Sequence, residues 1–387
     1  MQLPIYLDHA ATTPVAPEVL EAMLPYFTEM YGNSASLYSL GMQSREAVEN
    51  ARKIVADALN ASKNEIIFTS GGTESDNMAL RGVVQAYSGL RKHLLATPIE
   101  HHAVLETLEK LEREGYELEM IPVDSAGLVD PMEVQKRLRP DTLLVSVMHA
   151  NNEIGTVQPI GEIGRLCREQ GVIFHTDAVQ TFGKLPIDVK EMNIDLLSVS
   201  AHKLYGPKGV GALYLRRGIS FSRFQEGGEQ ERGRRGGTLN VPGIVGLGRA
   251  AEISINEMDQ EADRLTCLRE YFFKKLTDNI SGIAFNGSRA YRLPMNIHVC
   301  IEGVHGESVL LSLDTAGICA SAGSACSSGS QDPSHVLKAI NMPRDLARSA
   351  LRMTMGKTTT IESIDYAVES LAQSVKELRL MSASCLA

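Results

Sequence analysis

No stretch of about 18 apolar residues occurs in the chain. Nor do the first residues, Pro4 and Asp8 among them, form a basic segment followed by an apolar one. A membrane span and a secretion signal are therefore not expected, and a cytoplasmic protein is. The six cysteines, Cys167, Cys267, Cys300, Cys319, Cys326 and Cys385, are scattered with no C-x-x-C pair, which speaks against a disulfide framework or a zinc ribbon and for reduced thiols. Basic residues are outnumbered, 38 against 47 acidic ones for a formal charge of -9. A phosphate backbone is gripped by clustered Lys and Arg, so no direct nucleic-acid partner is expected. The one basic cluster, Arg232 to Arg235, reads as a solvated or substrate-facing loop. Tryptophan is missing and no repeat of roughly 20 to 50 residues is apparent, which leaves an ordinary globular protein.

What is present is length and alternation. The 387 residues exceed what one hydrophobic core usually supports, so two domains are expected. Short runs rich in Val and Ile, 65–68, 142–148, 172–175 and 210–215, read as buried strands. Between them, Val104, Leu105, Leu108 and Leu111, and then Ile160, Ile163 and Cys167, recur at helical spacing. The pattern predicts an α/β large domain, 15–243, with a mostly parallel sheet covered by helices. Beyond Pro242 a long polar helix, 244–278, precedes strand-like 295–301, helical 307–316, strand-like 350–355 and a closing helix from Ile361. This is read as a smaller α+β domain, 244–387.

Two segments carry chemistry. Lys203 stands in Ser200-Ala201-His202-Lys203-Leu204-Tyr205-Gly206-Pro207, just past the mostly apolar run 195–199. A lysine sheltered at a strand end loses its charge more readily and becomes a nucleophile for a carbonyl cofactor, although a surface lysine in a turn has the same local sequence. Far downstream, Ala320-Ser321-Ala322-Gly323-Ser324-Ala325-Cys326-Ser327-Ser328-Gly329-Ser330 sets one thiol among small residues. An amine for a carbonyl cofactor together with such a thiol suggests sulfur chemistry. Asp177 follows the strand 172–175, where ligands bind in open α/β sheets, and a carboxylate there can keep a pyridine nitrogen protonated. His175 and Asp177 are spaced like metal ligands, but no third ligand follows, so no metal is expected. Ser70 to Ser75 joins a strand to a helix and suits either a phosphate or a plain helix cap. Arg352 is the one charge in the apolar run 350–355; its fork requires an anion, either a substrate carboxylate or an internal Asp or Glu.

With Tyr6-Leu7-Asp8-His9-Ala10-Ala11-Thr12-Thr13-Pro14, Gly72-Thr73-Glu74-Ser75-Asp76-Asn77, Asn151-Asn152-Glu153-Ile154-Gly155 and His175-Thr176-Asp177-Ala178-Val179-Gln180, these segments stand in the order found in cysteine desulfurases. The chain resembles the NifS/IscS type over nearly its whole length. The resemblance implies the pyridoxal 5'-phosphate fold type I, with residues 1–14 packed on the small domain and 320–333 as the cysteine loop. It implies conversion of L-cysteine to L-alanine with a persulfide on Cys326. Lys203, Cys326 and His101 become the catalytic residues, with His101 stacked on the cofactor ring. Gly72, Thr73, Ser200 and His202 are assigned to the phosphate, joined by Thr238 of a neighbouring subunit, hence a homodimer. Asn152, Asp177 and Gln180 contact the ring, and Arg352 with Asn152 binds substrate. Sulfur acceptors such as an iron-sulfur scaffold or a tRNA-thiolation enzyme are implied partners, with Cys326 a possible transient iron-sulfur ligand. The length of the cysteine loop fits this group rather than the one with a short loop. Ser34 departs from the usual proline of Gly-Asn-Pro, Lys357 from a frequent arginine, and Cys319 adds a thiol near the loop. A related selenocysteine lyase or aminotransferase would share Lys203 and Asp177 but has less use for Cys326. A non-catalytic partner-binding scaffold would have no need of Lys203, Asp177, His101 and Arg352 together.

Overall fold

The computed structural model describes residues 4–323 and 332–385. Cys326 and most of its loop lie outside the described residues. In chain order the strands are β1 Ile5–Tyr6, β2 Ile66–Thr69, β3 His93–Ala96, β4 Glu117–Met120, β5 Thr142–Ser146, β6 Ile173–Asp177, β7 Leu196–Ser200, β8 Gly211–Leu215, β9 Ile283–Phe285, β10 Asn296–Ile301, β11 Ile318–Cys319 and β12 Ala350–Thr354.

Seven of them form one sheet in the order β2-β8-β7-β6-β5-β3-β4. Only β8 runs against its neighbours β2 and β7; the other pairs are parallel. A parallel sheet must be covered on both faces, and here two apolar layers do so. Phe68, Val145, Phe174 and Leu197 point to one layer, and Ile67, Leu94, Leu144, Leu196 and Leu213 to the other. β4 escapes the apolar-run rule because it is an edge strand with half-exposed side chains. Glu117 on it meets Arg139 at 2.7 and 2.8 Å, the charged dressing that keeps an edge from pairing with another chain.

A second apolar cluster gathers Leu7, Phe272, Leu276, Ile297, Val299, Leu351, Met353, Ile364 and Leu371 around the antiparallel sheet β12-β10-β9. The start of the chain joins it: β1 pairs with β11, and Asp8 bridges to Thr354. The helix Val241–Asn279 begins three residues earlier than the sequence indicates and serves both clusters. Ile244, Leu247 and Ala250 belong to the first, while Leu265, Leu268, Phe272 and Leu276 belong to the second. Gly248 lets this helix press on the helix Ser39–Ala58, since an added Cβ would meet Ala51 Cβ at 2.7 Å.

The Arg232 to Arg235 segment is more tied down than a solvated loop. Before it, Glu231 is buried and takes Arg52 at 2.7 Å through both oxygens, and Arg235 pairs with Glu74 at 2.8 Å. These ties anchor the segment against the start of the helix Gly72–Ala86.

Candidate active site

The carboxyl ends of the central strands enclose a cavity of about 190 Å³ lined by, among others, Gly72, His101, Asp177, Gln180, Lys203 and Arg352. Thr73, Asn152, Ser200 and His202 line it too. Of the residues assigned by resemblance, Thr238 is exposed and absent from this lining, and Cys326 lies outside the described residues.

Lys203 ends the single helical turn Ala201–Lys203 directly after β7. Its Nζ donates to the carbonyls of Ala10 at 2.5 Å and Ala11 at 2.7 Å. Next along the chain but one, Tyr205 takes a φ of 63°, a strained choice for a bulky residue of the sort that collects at functional sites. The neighbouring His202 donates to or accepts from Thr12 Oγ1 at 3.0 Å. Burial and the adjacent Lys203 charge lower its pKa to about 4, so it is neutral near pH 7.

Asp177, at the end of β6, is buried. Burial raises its pKa to about 6, against the pull of the Val179 amide and Lys203; that amide donates to Oδ1 at 2.8 Å. Behind it lies a set of groups to which the sequence reading gave no role. Asp76 is fully buried and its pKa is raised well above normal by burial and then by Asp177. His175 lies 3.6 Å from Asp76, touches Ser146 and Ser198, and is held neutral by burial, its pKa near 3. Glu100 is also buried, with a pKa of about 8 caused by desolvation. The available signal was a polar residue closing a short apolar run, as His175 follows Val172, Ile173 and Phe174.

His101 caps the helix His102–Arg113: its Nδ1 accepts from the Ala103 amide at 3.1 Å. That fixes the neutral ring as the Nε2–H form. Burial first, then the charges of Lys203, His102 and His335, lower its pKa to about 4. Asn152 follows Asn151, whose Oδ1 takes the amides of Glu153 and Ile154 and folds the chain back. Gly155, with φ 75°, completes that turn where an added Cβ would lie 2.4 Å from Asn296.

Gly72 opens a 15-residue helix whose cap, Gly71, makes no side-chain hydrogen bond and has a φ of 153°. The first-turn amides and the positive end of the helix dipole thus face the cavity uncapped, which suits a phosphate. Arg352 is buried in β12 and already has a carboxylate: Nη2 lies 2.7 Å from Asp8 Oδ1 and Nη1 donates to the Asn152 carbonyl at 2.9 Å. Three lining atoms, Asp76 Oδ1, Gln180 Oε1 and Arg352 Nε, are buried and find no hydrogen-bond partner among the described residues. Buried polar atoms rarely remain unpaired, so the cavity is equipped for a polar ligand. Among the described residues no cluster of three or more His, Cys, Asp or Glu could hold a metal ion.

Comparison with known proteins agrees with this chemistry. The family model for class-V aminotransferases matches residues 5–367. A cysteine desulfurase IscS of Dictyoglomus turgidum is 51% identical over 382 residues, covering 99% of this chain and 97% of the relative. Among solved structures, a NifS-like protein superimposes with a TM-score of 0.91 at 37% identity, covering 97% of this chain and 100% of that one. SspA in complex with cysteine gives 0.82 at 38% identity, covering 91% and 98%.

Proposed function

Because the chain belongs to the class-V aminotransferase family, whose enzymes use pyridoxal phosphate, we propose that it is a cysteine desulfurase. It converts L-cysteine to L-alanine and passes sulfur, carried as a persulfide on Cys326, to acceptor proteins. The observation that carries this reading is the cavity where Lys203, Asp177, His101 and Arg352 converge, with three buried polar atoms that find no partner among the described residues.

The residues present fit the cofactor. The uncapped helix start at Gly72 and Thr73, with Ser200 and His202 opposite, would hold its phosphate; Asp177 and Gln180 would hold the ring. When bound, the cofactor supplies an aldehyde for the substrate amine and a ring that accepts the electron pair left by the Cα proton. Lys203 Nζ takes and returns that proton. Asp177 would hold a proton on the ring nitrogen through its negative charge, and His101, neutral with hydrogen on Nε2, would face the ring as a donor. Arg352 takes the α-carboxylate. Cys326 as thiolate attacks the substrate sulfur: an S–S bond forms, the C–S bond breaks with its electrons left on carbon, and protons complete alanine.

We further infer a homodimer in which Thr238 serves the neighbour's phosphate site. Support comes from six exposed apolar side chains within residues 24–42, Leu24, Phe27, Tyr31, Leu37, Tyr38 and Met42, since exposed apolar surface of this kind marks protein contact. The division into 15–243 on one side and 1–14 with 244–387 on the other is part of the same reading, supported by two separate apolar clusters. An iron-sulfur scaffold or a tRNA-thiolation enzyme is the acceptor, in the cytoplasm; no helix among the described residues is long and apolar enough to cross a membrane.

The test is incubation of the holoenzyme with L-cysteine, with alanine quantified and Cys326 examined by mass spectrometry for one added sulfur atom. Cys326→Ser should bind cysteine at the cofactor but release no alanine. Alanine release by that variant at the native rate would remove the thiol from the mechanism, and transamination without desulfuration would favour the aminotransferase alternative.

A further inference from the structure

Arg352 is the group we assign to the substrate α-carboxylate, yet a carboxylate of the protein already occupies it. Asp8 Oδ1 lies 2.7 Å from Arg352 Nη2, and the arginine side chain is only 1% exposed against 14% for Asp8. Asp8 is held where it is by its other bonds. Its Oδ2 accepts from Ser321 Oγ at 2.7 Å, and the backbone on both sides is clamped to β12: Thr354 N donates to Leu7 O at 2.7 Å and His9 N to Thr354 O at 3.2 Å. Ser321 is itself paired with Arg352 through the backbone in both directions, at 3.1 and 2.6 Å. The guanidinium has five N–H donors. One goes to Asp8 and one to the Asn152 carbonyl, and Nε faces no partner among the described residues.

A substrate carboxylate can therefore reach Arg352 through the remaining donors, but only beside the fixed negative charge of Asp8. We propose that Asp8 is a positioning residue that competes with the substrate α-carboxylate for Arg352. It holds the guanidinium fork in place and keeps its affinity for any α-carboxylate low. This rests on the reading of Arg352 as the carboxylate site. The consequence is specific to what substrate and product share. Cysteine and alanine carry the same α-carboxylate, so Asp8 weakens both equally, and uniform weakening of this kind favours release of alanine at the expense of a higher KM for cysteine.

The test is Asp8→Asn, which keeps an oxygen acceptor for Arg352 and Ser321 but removes the charge; Asp8→Ser serves if that variant does not fold. On the holoenzyme, the Kd of L-alanine by calorimetry and the KM for cysteine should both fall, each by on the order of tenfold and by the same factor, with kcat not raised. An Asp8 that merely props up the fold would make both constants rise or leave them unchanged, and that result overturns the proposal if Arg352→Ala still weakens alanine binding. If Arg352→Ala leaves alanine binding unchanged as well, the assignment of Arg352 fails and the competition falls with it.

Discussion

The two walls of the cavity are held in opposite ways. The wall on the seven-stranded sheet takes Asp177 from the end of β6 and Gly72, His101 and Lys203 from the segments that follow β2, β3 and β7. Neighbouring strands fix their spacing, and buried partners such as Asp76 and His175 back them. The other wall takes Arg352 from the middle of β12 and Asp8 from the first residues of the chain, joined by their ion pair, by backbone bonds of Leu7 and His9 to Thr354 and by the Ser321 hydroxyl. The first wall can keep a cofactor in one pose, whereas the second makes contacts that a passing amino acid can share or exchange. A site that turns over needs both kinds.

Substitutions should separate the walls, and the largest effect belongs to the first. Lys203→Ala removes the amine set at the end of β7 beside the Ala10 and Ala11 carbonyls. Loss of the bound cofactor's visible absorption band and of all cysteine turnover is expected in absorption and alanine assays. A variant that kept both would show that the sheet wall does not fix the cofactor through this residue.

On the second wall the loss should be partial. Arg352→Ala should leave the visible band intact and raise the KM for cysteine, because truncating one side of a buried charged pair costs roughly 2 to 5 kcal/mol, or about thirtyfold and upward in affinity. Part of that cost falls on folding, since Asp8 is left without its partner. Steady-state kinetics beside a melting curve divide the two. A lowered Tm with native KM would mean that the Asp8 pair is the whole purpose of Arg352.

The same contrast governs what was legible in the sequence. Strand ends are read from local pattern, so the runs at 142–148 and 172–175 led directly to β5, β6 and the position of Asp177. The long helix after Pro242, and the strands at 296–301 and 350–354, were equally visible. Contacts between distant residues were not. Asp8 and Arg352 are separated by 344 positions, and nothing at either place names the other; the sequence shows only that Arg352 needs some anion. β4 was missed because its residues Glu117 to Met120 are half polar and lie on an edge, and β1 and β11 because two residues have no period. Asp76 stood in a recognised motif, but its place as a buried neighbour of Asp177 with a raised pKa arises from burial that only the folded sheet produces.

The smallest effect expected tests whether the backing of the sheet wall is as rigid as its hydrogen bonds imply. Glu100 is fully buried, with Oε1 accepting from Thr97 Oγ1 at 2.6 Å and the Met148 amide at 2.9 Å, while Oε2 has no partner among the described residues. Burial raises its pKa from 4.5 to about 8, despite the opposing hydrogen bonds of Thr97 and Met148. The folded protein therefore holds this proton up to a pH at which the unfolded chain has long lost it. Its contribution to stability is complete below about pH 4.5 and is lost as pH rises through 8, at no more than about 1.4 kcal/mol per pH unit. Asp177 adds a trend of the same sign below about pH 6, and Lys184, lowered by burial to about 7, titrates within pH 6.5 to 8, so it is the difference between variant and native protein over that interval that isolates Glu100. Glu100→Gln, neutral at every pH and still able to accept from Thr97 and Met148, should become progressively more stable relative to the native protein across that interval in denaturant melts. Parallel pH curves would mean that the carboxylate ionises inside the fold without penalty, through water or movement in the wall, and the sheet side of the cavity would then be no more rigid than the side that holds Arg352.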